Sequence, residues 1–278
     1  MRFRISKGRL TADGKSVDYI PSLYMGGPFS PRIAVMHFTY GGTARSSAEW
    51  FRTKRANGSS AHIVIERDGS IIQCVPFDRV AWHAGRSRWK NLVGLNNHSI
   101  GIELANWGYL QRAGDGWACY TGTRINEPVV ATHKNGNPDG STRPIGWEAY
   151  PEVQIAAAAG VVAALVESYS VNEILGHDDI SPTRKWDPGP AFDMATFRAR
   201  VFGGRGYDGD VRVRVTAADG LNLRSGPASS FAALELLPVG TELEPLSTNG
   251  KWIEVSVYGG DGRPRATGWI HSHYVEEV

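Results

Sequence analysis

The sequence predicts two folded parts of different class: an α/β domain with a mixed sheet flanked by helices over residues 1–202, and a small all-β barrel over residues 211–278. In the first part, stretches with the pattern of buried strands alternate with helical stretches, as in α/β domains. The segment "GGRGYDGD" at 203–210 has the glycine-rich composition of a linker. Beyond it, short strands follow one another between turns at even spacing, which is typical of small barrels.

The first elements of the α/β domain are a strand, a helix and a hairpin. "RIAVMHF" at 32–38 is apolar and β-branched, which predicts a buried strand. "SSAEWFRTKRA" at 46–56 predicts a short helix, with Ser46 and Glu49 spaced as a capping box. "AHIVIERDGSIIQCV" at 61–75 reads as two strands joined at an Asp-Gly turn, which is a strong hairpin signal.

The next strand carries an acidic side chain on one face. "SIGIELAN" at 99–106 alternates, so that Ile100 and Ile102 share one face and Glu103 lies on the other. From 109 to 146 the pattern dissolves into Gly, Pro, Asn, Asp and Thr. We therefore expect a long loop there. Long loops inside compact domains are either functional or disordered.

The last elements of the first part are a long helix, a strand and a final helix. The helix runs from about 151 to 169, with a proline near its first turn. "NEILGHDDI" predicts a short strand that ends at His177. "FDMATFRARVF" predicts a helix that begins near Asp193.

Composition excludes several classes of protein. The 278 residues carry a formal net charge of +2, too small for phosphate neutralisation, so we expect no nucleic-acid partner. Cys74 and Cys119 are too few for a disulfide framework or a cysteine zinc site. The longest apolar run, "AAAAGVVAALV", is shorter than the roughly 18 residues of a membrane span. "MRFRISKGRLTADGK" has no apolar signal-peptide core, so we expect synthesis in the cytoplasm without a signal peptide.

Two histidines and an aspartate form a candidate metal site. His37 and His177 both end predicted strands and enter loops, and Asp187 follows in the proline-stiffened turn "WDPGP". Two imidazoles and one carboxylate leave a fourth tetrahedral position open for water, as hydrolytic zinc requires. A histidine at a strand end is more often a core or surface residue, and that alternative stays open for each taken alone.

Glu103 and Lys185 are the candidate catalytic side chains. A zinc-assisted hydrolysis needs a base for the proton and a cation for the oxyanion. Lys185 lies two residues before Asp187, so an extended chain points both to one side. The alternative for Glu103 is a carboxylate that is simply exposed to solvent, and the alternative for Lys185 is an exposed lysine without a catalytic role. Both catalytic assignments therefore depend on Asp187 being a metal ligand.

Four motifs recur in an order that resembles a known family: "MHFT" (36–39), "SAHIVIERDGSIIQCVPFDRVAWHAG" (60–85), "NNHSIGIELAN" (96–106) and "GHDDISPTRKWDPGP" (176–190). Together they resemble the zinc-dependent N-acetylmuramoyl-L-alanine amidases of the type 2 amidase family, over about residues 30–202. The resemblance implies hydrolysis of the amide bond between N-acetylmuramic acid and L-alanine in peptidoglycan. It also implies roles for five residues: His37, His177 and Asp187 as Zn²⁺ ligands, with Glu103 and Lys185 as the catalytic pair.

Four further residues are weaker candidates for substrate binding. His83 is placed to line the groove, although a structural hydrogen bond explains it equally well. The guanidinium group of Arg184 can bind a stem-peptide carboxylate through two parallel hydrogen bonds. The alternative is that Arg184 is a surface residue that keeps the protein soluble. Trp107 and Trp186 are candidates for stacking on sugar, while core packing is commoner for aromatic residues.

The second part resembles a bacterial SH3-like domain over 211–278, carried by "DGLNLRSGPASSFAALELLPVGTELEPL" and "GWIHSHYV". Such modules commonly bind cell walls, and a structural appendage is the alternative. A domain that tethers an enzyme to an insoluble polymer raises the effective concentration of that enzyme at its substrate. We therefore expect an endolysin-like monomer that binds the glycan strand and stem peptide, after phage-type release or delivery by a secretion system.

Three other functions remain open from the sequence. Relatives of this fold bind wall fragments without cleaving them, so a non-catalytic peptidoglycan-recognition protein is one alternative. A cytoplasmic amidase that recycles anhydromuropeptides is a second. A zinc peptidase acting within the stem or cross-bridge is a third.

Overall fold

The structure of the protein is a computed structural model that describes residues 2–203, 212–249, 251–259 and 264–278. The chain divides into two compact units, Met1–Met194 and Ala195–Val278. The predicted linker at 203–210 lies outside the described residues except for its first glycine, so it stays a prediction.

The first unit contains short strands interspersed with helices. Its helices are α1 (Ala44–Phe51), α2 (Glu152–Tyr169) and α3 (His177–Ile180), with 3₁₀ turns at Lys54–Ala56 and Leu95–Asn97. Its strands are β1 (Phe3–Ser6), β2 (Arg9–Ala12), β3 (Lys15–Ser16), β4 (Asp18–Tyr19), β5 (Ile33–Phe38), β6 (Ile63–Ile65), β7 (Ile71–Gln73), β8 (Arg88–Trp89), β9 (Leu92–Val93), β10 (Ser99–Leu104), β11 (Gln111–Ala113), β12 (Gly116–Ala118), β13 (Arg124–Ile125), β14 (Val129–Ala131), β15 (Ile145–Trp147) and β16 (Glu173–Gly176).

A mixed central sheet carries the first unit, in the order β16-β5-β10-β6-β7-β4. Its neighbouring strands are parallel except for the antiparallel hairpin β6–β7. α1 packs against β6 and β7, and α2 packs against β1 and β6. The predicted α/β class with helices flanking a mixed sheet is confirmed, as is the hairpin.

The helix predicted over 46–56 begins earlier and is shorter. α1 is capped by Thr43, whose Oγ1 accepts a hydrogen bond from the N–H of Ser46 at 3.1 Å. The predicted capping box of Ser46 and Glu49 is therefore wrong. Thr43 is also among the residues that favour this position, and it comes first along the chain.

The segment from 109 to 146 is not the irregular loop that the sequence predicted. β11, β12 and β13 form one small sheet, and β14 pairs with β15. Each of these strands has only two or three residues, too few for alternation to be read from the sequence. Their side chains share a buried cluster that includes Leu110, Trp117 and Trp147.

An N-terminal meander of β1, β2 and β3 was not predicted. Its two turns, Lys7–Gly8 and Asp13–Gly14, have positive φ at both central residues. That conformation matches the type I′ turn of tight hairpins, for which Asp-Gly is a strong signal. The signal was therefore present in the sequence.

α2 is a core helix of the first unit. It confirms the helix predicted over 151–169, and half of its most apolar 18-residue window is buried within the protein. Among the described residues it alone has the length and hydropathy of a membrane span, a test that core helices also pass. Its Gly160 lies against Phe3 of β1, where a Cβ would approach the ring to 2.7 Å.

The second unit is rich in antiparallel strands, which confirms the predicted all-β part. Its core is a buried cluster that includes Val213, Leu223 and Val255. α4 (Met194–Gly203) begins at the last residue of the first unit and continues into the second. The other described elements of the second unit are β17 (Val213–Val215), β18 (Leu221–Arg224), β19 (Ala233–Leu237), β20 (Glu242–Asn249), β21 (Trp252–Tyr258), β22 (Pro264–His271), a 3₁₀ turn (Ser272–Tyr274) and β23 (Val275–Glu277). The strands form one sheet in the order β19-β18-β22-β21-β20-β17-β23.

Two histidines pack closely against Gly101 in β10. A Cβ on Gly101 would overlap Cγ of the His83 ring. The N–H of Gly101 donates to Nδ1 of His62 at 3.0 Å, and Nε2 of His62 lies 2.9 Å from the carbonyl oxygen of Arg79. These contacts require a glycine in the strand and a neutral His62.

We predict that Gly101→Ala destabilises the first unit by about 1–3 kcal/mol, because the added methyl overpacks the His83 ring. The matched control is Gly27→Ala, where a Cβ would meet no atom within 4 Å. Urea unfolding of both variants measures the difference. Equal midpoints for the two variants would contradict the close packing.

We predict that His62 makes the metal-free protein lose stability as the pH falls. Burial lowers the pKa of His62 from 6.5 to about 3, against the raising effect of the Arg79 carbonyl, and His37 adds to the lowering. Below pH 6.5 the unfolded chain binds the proton and the folded chain does not. The cost is about 1.4 kcal/mol for each pH unit down to the folded pKa.

Urea unfolding of chelator-treated protein between pH 7 and pH 4 measures this slope. His62→Gln keeps a donor and an acceptor but does not titrate, so we expect a shallower slope from it than from the parent protein. Identical slopes for the two proteins would show that His62 is not the group responsible.

Candidate active site

Parallel strands bring the two predicted histidine ligands to one edge of the central sheet. His37 lies near the end of β5, and His177 follows directly after β16, which is parallel to β5. The carboxyl ends of parallel strands are where open α/β sheets place their sites. Glu103 lies opposite His37 in the register of β10 and β5, so both side chains leave the same face.

Asp187 reaches this edge through the loop after α3. Its backbone carbonyl accepts a hydrogen bond from the N–H of Asp178 at 2.9 Å. Its Oδ2 lies 2.8 Å from Nδ1 of His37 and 2.8 Å from Nδ1 of His177, and the two Nδ1 atoms are 3.0 Å apart. All three side chains are buried. The structure therefore brings together the three side chains that the sequence predicted as metal ligands.

The outer ring nitrogens of both histidines lie against fixed hydrogen-bond partners. Nε2 of His177 is 3.2 Å from the carbonyl oxygen of Ala84, so this nitrogen carries the proton. Nε2 of His83 is 3.2 Å from the carbonyl oxygen of Ser99, which places the His83 proton there. Nδ1 of His83 is then an acceptor, and Nε2 of His37 donates to it at 2.9 Å.

Both Nδ1 atoms consequently direct lone pairs towards Asp187. Three acceptors within 3.0 Å of one another in a buried place repel unless a cation lies among them. Two imidazole nitrogens and a carboxylate oxygen are a common ligand set of hydrolytic zinc. The outward hydrogen bonds are also those that metal-binding histidines make. The donor set therefore fits a divalent metal ion.

The pKa shifts of these groups favour the metal-binding protonation states. Burial, His177 and Lys185 lower the pKa of His37 to about 4, against the raising effect of Asp187. Burial acts to raise the pKa of Asp187, but His177 and His37 hold it well below its usual range. At neutral pH His37 is thus a neutral base and Asp187 an anion, as metal ligation requires.

Glu103 is a buried carboxyl beside this triad. Its Oε2 has no hydrogen-bond partner among the described residues. Burial and the charge of Asp187 raise the pKa of Glu103 well above its ordinary value, while Lys185 lowers it. A carboxyl with a raised pKa can accept and return a proton near neutral pH.

A cavity of about 480 Å³ opens over these groups, and we call it the main cavity. Lys185 and Glu103 line it together with the triad, so the predicted catalytic pair shares one space. Trp186, Arg184 and His83 also line it.

The weaker substrate-binding candidates are partly engaged within the protein. Nη2 of Arg184 donates to the carbonyl oxygens of Ala84 and Arg86 at 3.0 and 3.2 Å, so it braces the loop that holds His83. Trp107 is not among the described residues that line the main cavity. Its ring lies 5.6 Å from that of Tyr120, within the aromatic packing of the 109–146 segment.

Sequence reasoning missed part of the aromatic wall of the main cavity. Tyr40, Trp50 and Tyr109 line it, and Trp50 is 47% exposed. The Tyr40 and Tyr109 rings are 4.9 Å apart. A large exposed aromatic on a short helix was the available signal for Trp50, whereas the two tyrosines had none.

A loop that sequence reasoning did not predict to be nearby stabilises the turn that carries His177. Nε2 of His133 lies 3.0 Å from Oδ2 of Asp178, and Lys134 forms an ion pair with the same carboxylate at 3.0 Å. The carbonyl oxygen of Gly136 accepts a hydrogen bond from Nε1 of Trp186 at 3.1 Å. The loop between β14 and β15 therefore holds neighbours of both His177 and Asp187.

Comparison with known proteins finds amidases among the relatives of this chain. 1,6-Anhydro-N-acetylmuramyl-L-alanine amidase AmpD of Escherichia coli (strain K12) is 37% identical over 144 residues, which are 51% of this chain and 58% of that protein. N-acetylmuramoyl-L-alanine amidase AmiD of the same organism is 32% identical over 124 residues, 44% of this chain and 34% of that protein. The chain thus spans less than two thirds of the length of these relatives.

The chain also matches two family models, and it is similar to a solved structure. The crystal structure of a selenomethionine derivative of AmpD has a TM-score of 0.49 at 28% identity, covering 71% of this chain and 98% of that chain. The N-acetylmuramoyl-L-alanine amidase family model matches residues 27–190, which include the whole triad and are more than half of the chain. The bacterial SH3 domain model matches residues 219–276. The protein is therefore a member of the N-acetylmuramoyl-L-alanine amidase family that also carries a bacterial SH3 domain.

Proposed function

We propose that this protein hydrolyses the amide bond between N-acetylmuramic acid and L-alanine in peptidoglycan, with Zn²⁺ held by His37, His177 and Asp187. The observation that carries the proposal is the convergence of the Nδ1 atoms of His37 and His177 on one carboxylate oxygen of Asp187, all within 3.0 Å of one another. A zinc ion held there supplies Lewis acidity, which polarises a carbonyl and lowers the pKa of water.

Glu103 is proposed as the general base. It lines the same cavity as the triad, and burial raises its pKa well above the ordinary value, as suits a carboxyl that takes up and returns a proton. It takes the proton from the attacking water as the new C–O bond forms at the lactyl carbonyl. It then gives that proton to the alanine nitrogen as the C–N bond breaks, so the amine leaves neutral and the lactyl carboxylic acid remains.

Lys185 is proposed to stabilise the negative charge that develops on the carbonyl oxygen. Its ammonium group lines the main cavity, two residues from Asp187. A fixed cation in such a site stabilises the transition state more than it would in water. Both catalytic groups are present, which argues against a purely non-catalytic recognition protein.

The wall of the main cavity suits a sugar beside the scissile bond. Trp50 and Trp82 are both exposed by more than 40%, and both line it. Flat apolar rings with polar neighbours are the surfaces on which sugar rings are held. These side chains support a muramic acid site, and Trp186 continues it.

We further propose that the protein attacks intact wall, as an endolysin does. The SH3 domain supports this role, because a tether raises effective concentration at an insoluble polymer. Its own cavity of about 590 Å³ is lined by Trp252, His271 and Tyr274 among others, which suits a wall ligand. The route to the wall, phage-type release or secretion, and the monomeric state remain predictions from the sequence.

A recycling amidase is the second candidate function. The observation in its favour is the 37% identity with AmpD, whose name states action on 1,6-anhydro-N-acetylmuramyl-L-alanine. That activity needs the same triad and the same base, so the reaction is common to both candidates. The candidates differ in whether the substrate is a polymer or a soluble fragment.

We predict that Glu103→Gln keeps the bound zinc but lowers kcat by at least about a hundredfold, since the base is lost while the ligands stay. His177→Ala should lose zinc and activity together. Metal analysis of both purified variants, with amine release from a muramoyl peptide, gives the two readouts. Near-full activity of Glu103→Gln would remove the base from this scheme, and full zinc in His177→Ala would remove the ligand.

We predict that the full chain releases peptides with free L-alanine amino termini from purified sacculi. Mass spectrometry of the digest distinguishes these from products of a peptidase acting within the stem. A chelator should abolish release, and added zinc should restore it. Turnover of soluble anhydromuropeptides without any of sacculi would favour the recycling function instead.

A further inference from the structure

A second cavity lies on the 109–146 segment, beside the main cavity. Its volume is about 490 Å³, and we call it the side groove. Leu110, Trp117 and Ile145 contribute an apolar and largely buried floor. Tyr109 lines both the side groove and the main cavity, so the two spaces share a wall. A ligand that leaves the main cavity past Tyr109 therefore enters the side groove.

Two arginines give the side groove a positive charge. Arg112 and Arg143 both line it and are exposed, and Asp139 is the one acid among its described lining residues. The Arg112 guanidinium lies over the Trp117 ring at 4.3 Å from the ring centre, which fixes the side chain. Arg112 has no ion pair among the described residues.

Arg143 has an acidic neighbour in its own loop. Asp139 interacts electrostatically with it, and an oxygen of Asp139 also accepts the N–H of Ser141 at 3.0 Å. The two arginines and one aspartate leave one positive charge in excess in the groove. The groove is thus built for a ligand that combines apolar surface with a negative group.

Only one part of the proposed substrate has that chemistry. The lactyl carboxyl of muramic acid is used up in the scissile amide, and N-acetylated sugars carry no charge. The negative groups of the substrate therefore lie on the peptide side of the scissile bond. Arg184, the earlier candidate for these carboxylates, donates instead to the carbonyl oxygens of Ala84 and Arg86.

We propose that the side groove is the stem-peptide subsite, in which Arg112 and Arg143 bind peptide carboxylates and Tyr109 separates the peptide from the reacting amide. This inference rests on the proposed function, because it takes the scissile bond to lie in the main cavity. It assigns a role in specificity to the 109–146 segment, in addition to its bracing contacts.

The spacing of the two aromatic rings at the shared wall can be compared with the length of the stem peptide. Tyr109 lies with its ring 6.3 Å from that of Trp186, which is the neighbour of Asp187. An extended chain covers at most about 3.3–3.6 Å per residue, so three residues span roughly 10 Å. A stem of three or more residues is therefore longer than the separation of these two rings, and a stem of one residue is shorter.

The test compares substrates that differ in stem length and terminal charge. The probes are synthetic muramoyl-L-alanine, a muramoyl pentapeptide with a free terminal carboxylate, and the same pentapeptide as its terminal amide. For the parent protein we expect the KM of the free-acid pentapeptide to be about tenfold below that of the other two probes, since charge-assisted hydrogen bonds have this strength.

The double variant Arg112→Gln/Arg143→Gln should reduce this KM advantage to less than about twofold. The matched control is Arg124→Gln, an exposed arginine of the same small sheet that is outside the lining of the side groove and pairs with Asp115. We expect the control to keep the full advantage. Thermal unfolding of the variants verifies that the small sheet is intact.

Two results would overturn the subsite. One is an undiminished advantage in the double variant with intact folding. The other is a parent protein that does not distinguish the free acid from the amide.

Failure of the proposed function is a separate outcome. It would appear as no hydrolysis of any of the three probes by zinc-loaded parent protein. Calorimetric titration of the free-acid pentapeptide into the parent and double-variant proteins then decides the subsite independently. Weaker binding by the double variant supports it, and equal binding overturns it.

Discussion

Three lone pairs that face one another in a buried place are the constraint on which the rest of the site depends. Without a cation, the Nδ1 atoms of His37 and His177 and the carboxylate of Asp187 would repel at 2.8–3.0 Å. The fold holds them there through acceptors placed behind the rings, the Ala84 carbonyl for His177 and His83 for His37. The donor set that this geometry holds together fits a divalent cation.

The close packing behind the rings explains why neighbouring positions are so restricted. Gly101 leaves space for His83, and His83 can orient His37 only because the Ser99 carbonyl fixes its own proton. His62 is held neutral against the same strand by the Gly101 amide. A change at any of these positions alters the site without touching a ligand atom.

The 109–146 segment links the geometry of the site with its surroundings. His133 and Lys134 hold the carboxylate of Asp178, directly next to His177. On its other side the same segment forms the side groove, with Tyr109 as the shared wall. A segment that braces the ligand turn and also shapes the neighbouring groove can couple substrate length to the reacting centre.

The sequence by itself determined the α/β class and the all-β second part, and it predicted the five side chains of the proposed chemistry, because strand ends, alternation and motifs can be read along the chain. Tertiary structure alone decided which ring nitrogens carry protons, why Arg184 braces a loop, and that His133 contacts Asp178. It also decided that Thr43 caps α1 and that 109–146 is folded. Those features depend on partners far apart in the chain, or on strands too short to leave a periodic signal, and a linear pattern does not record either.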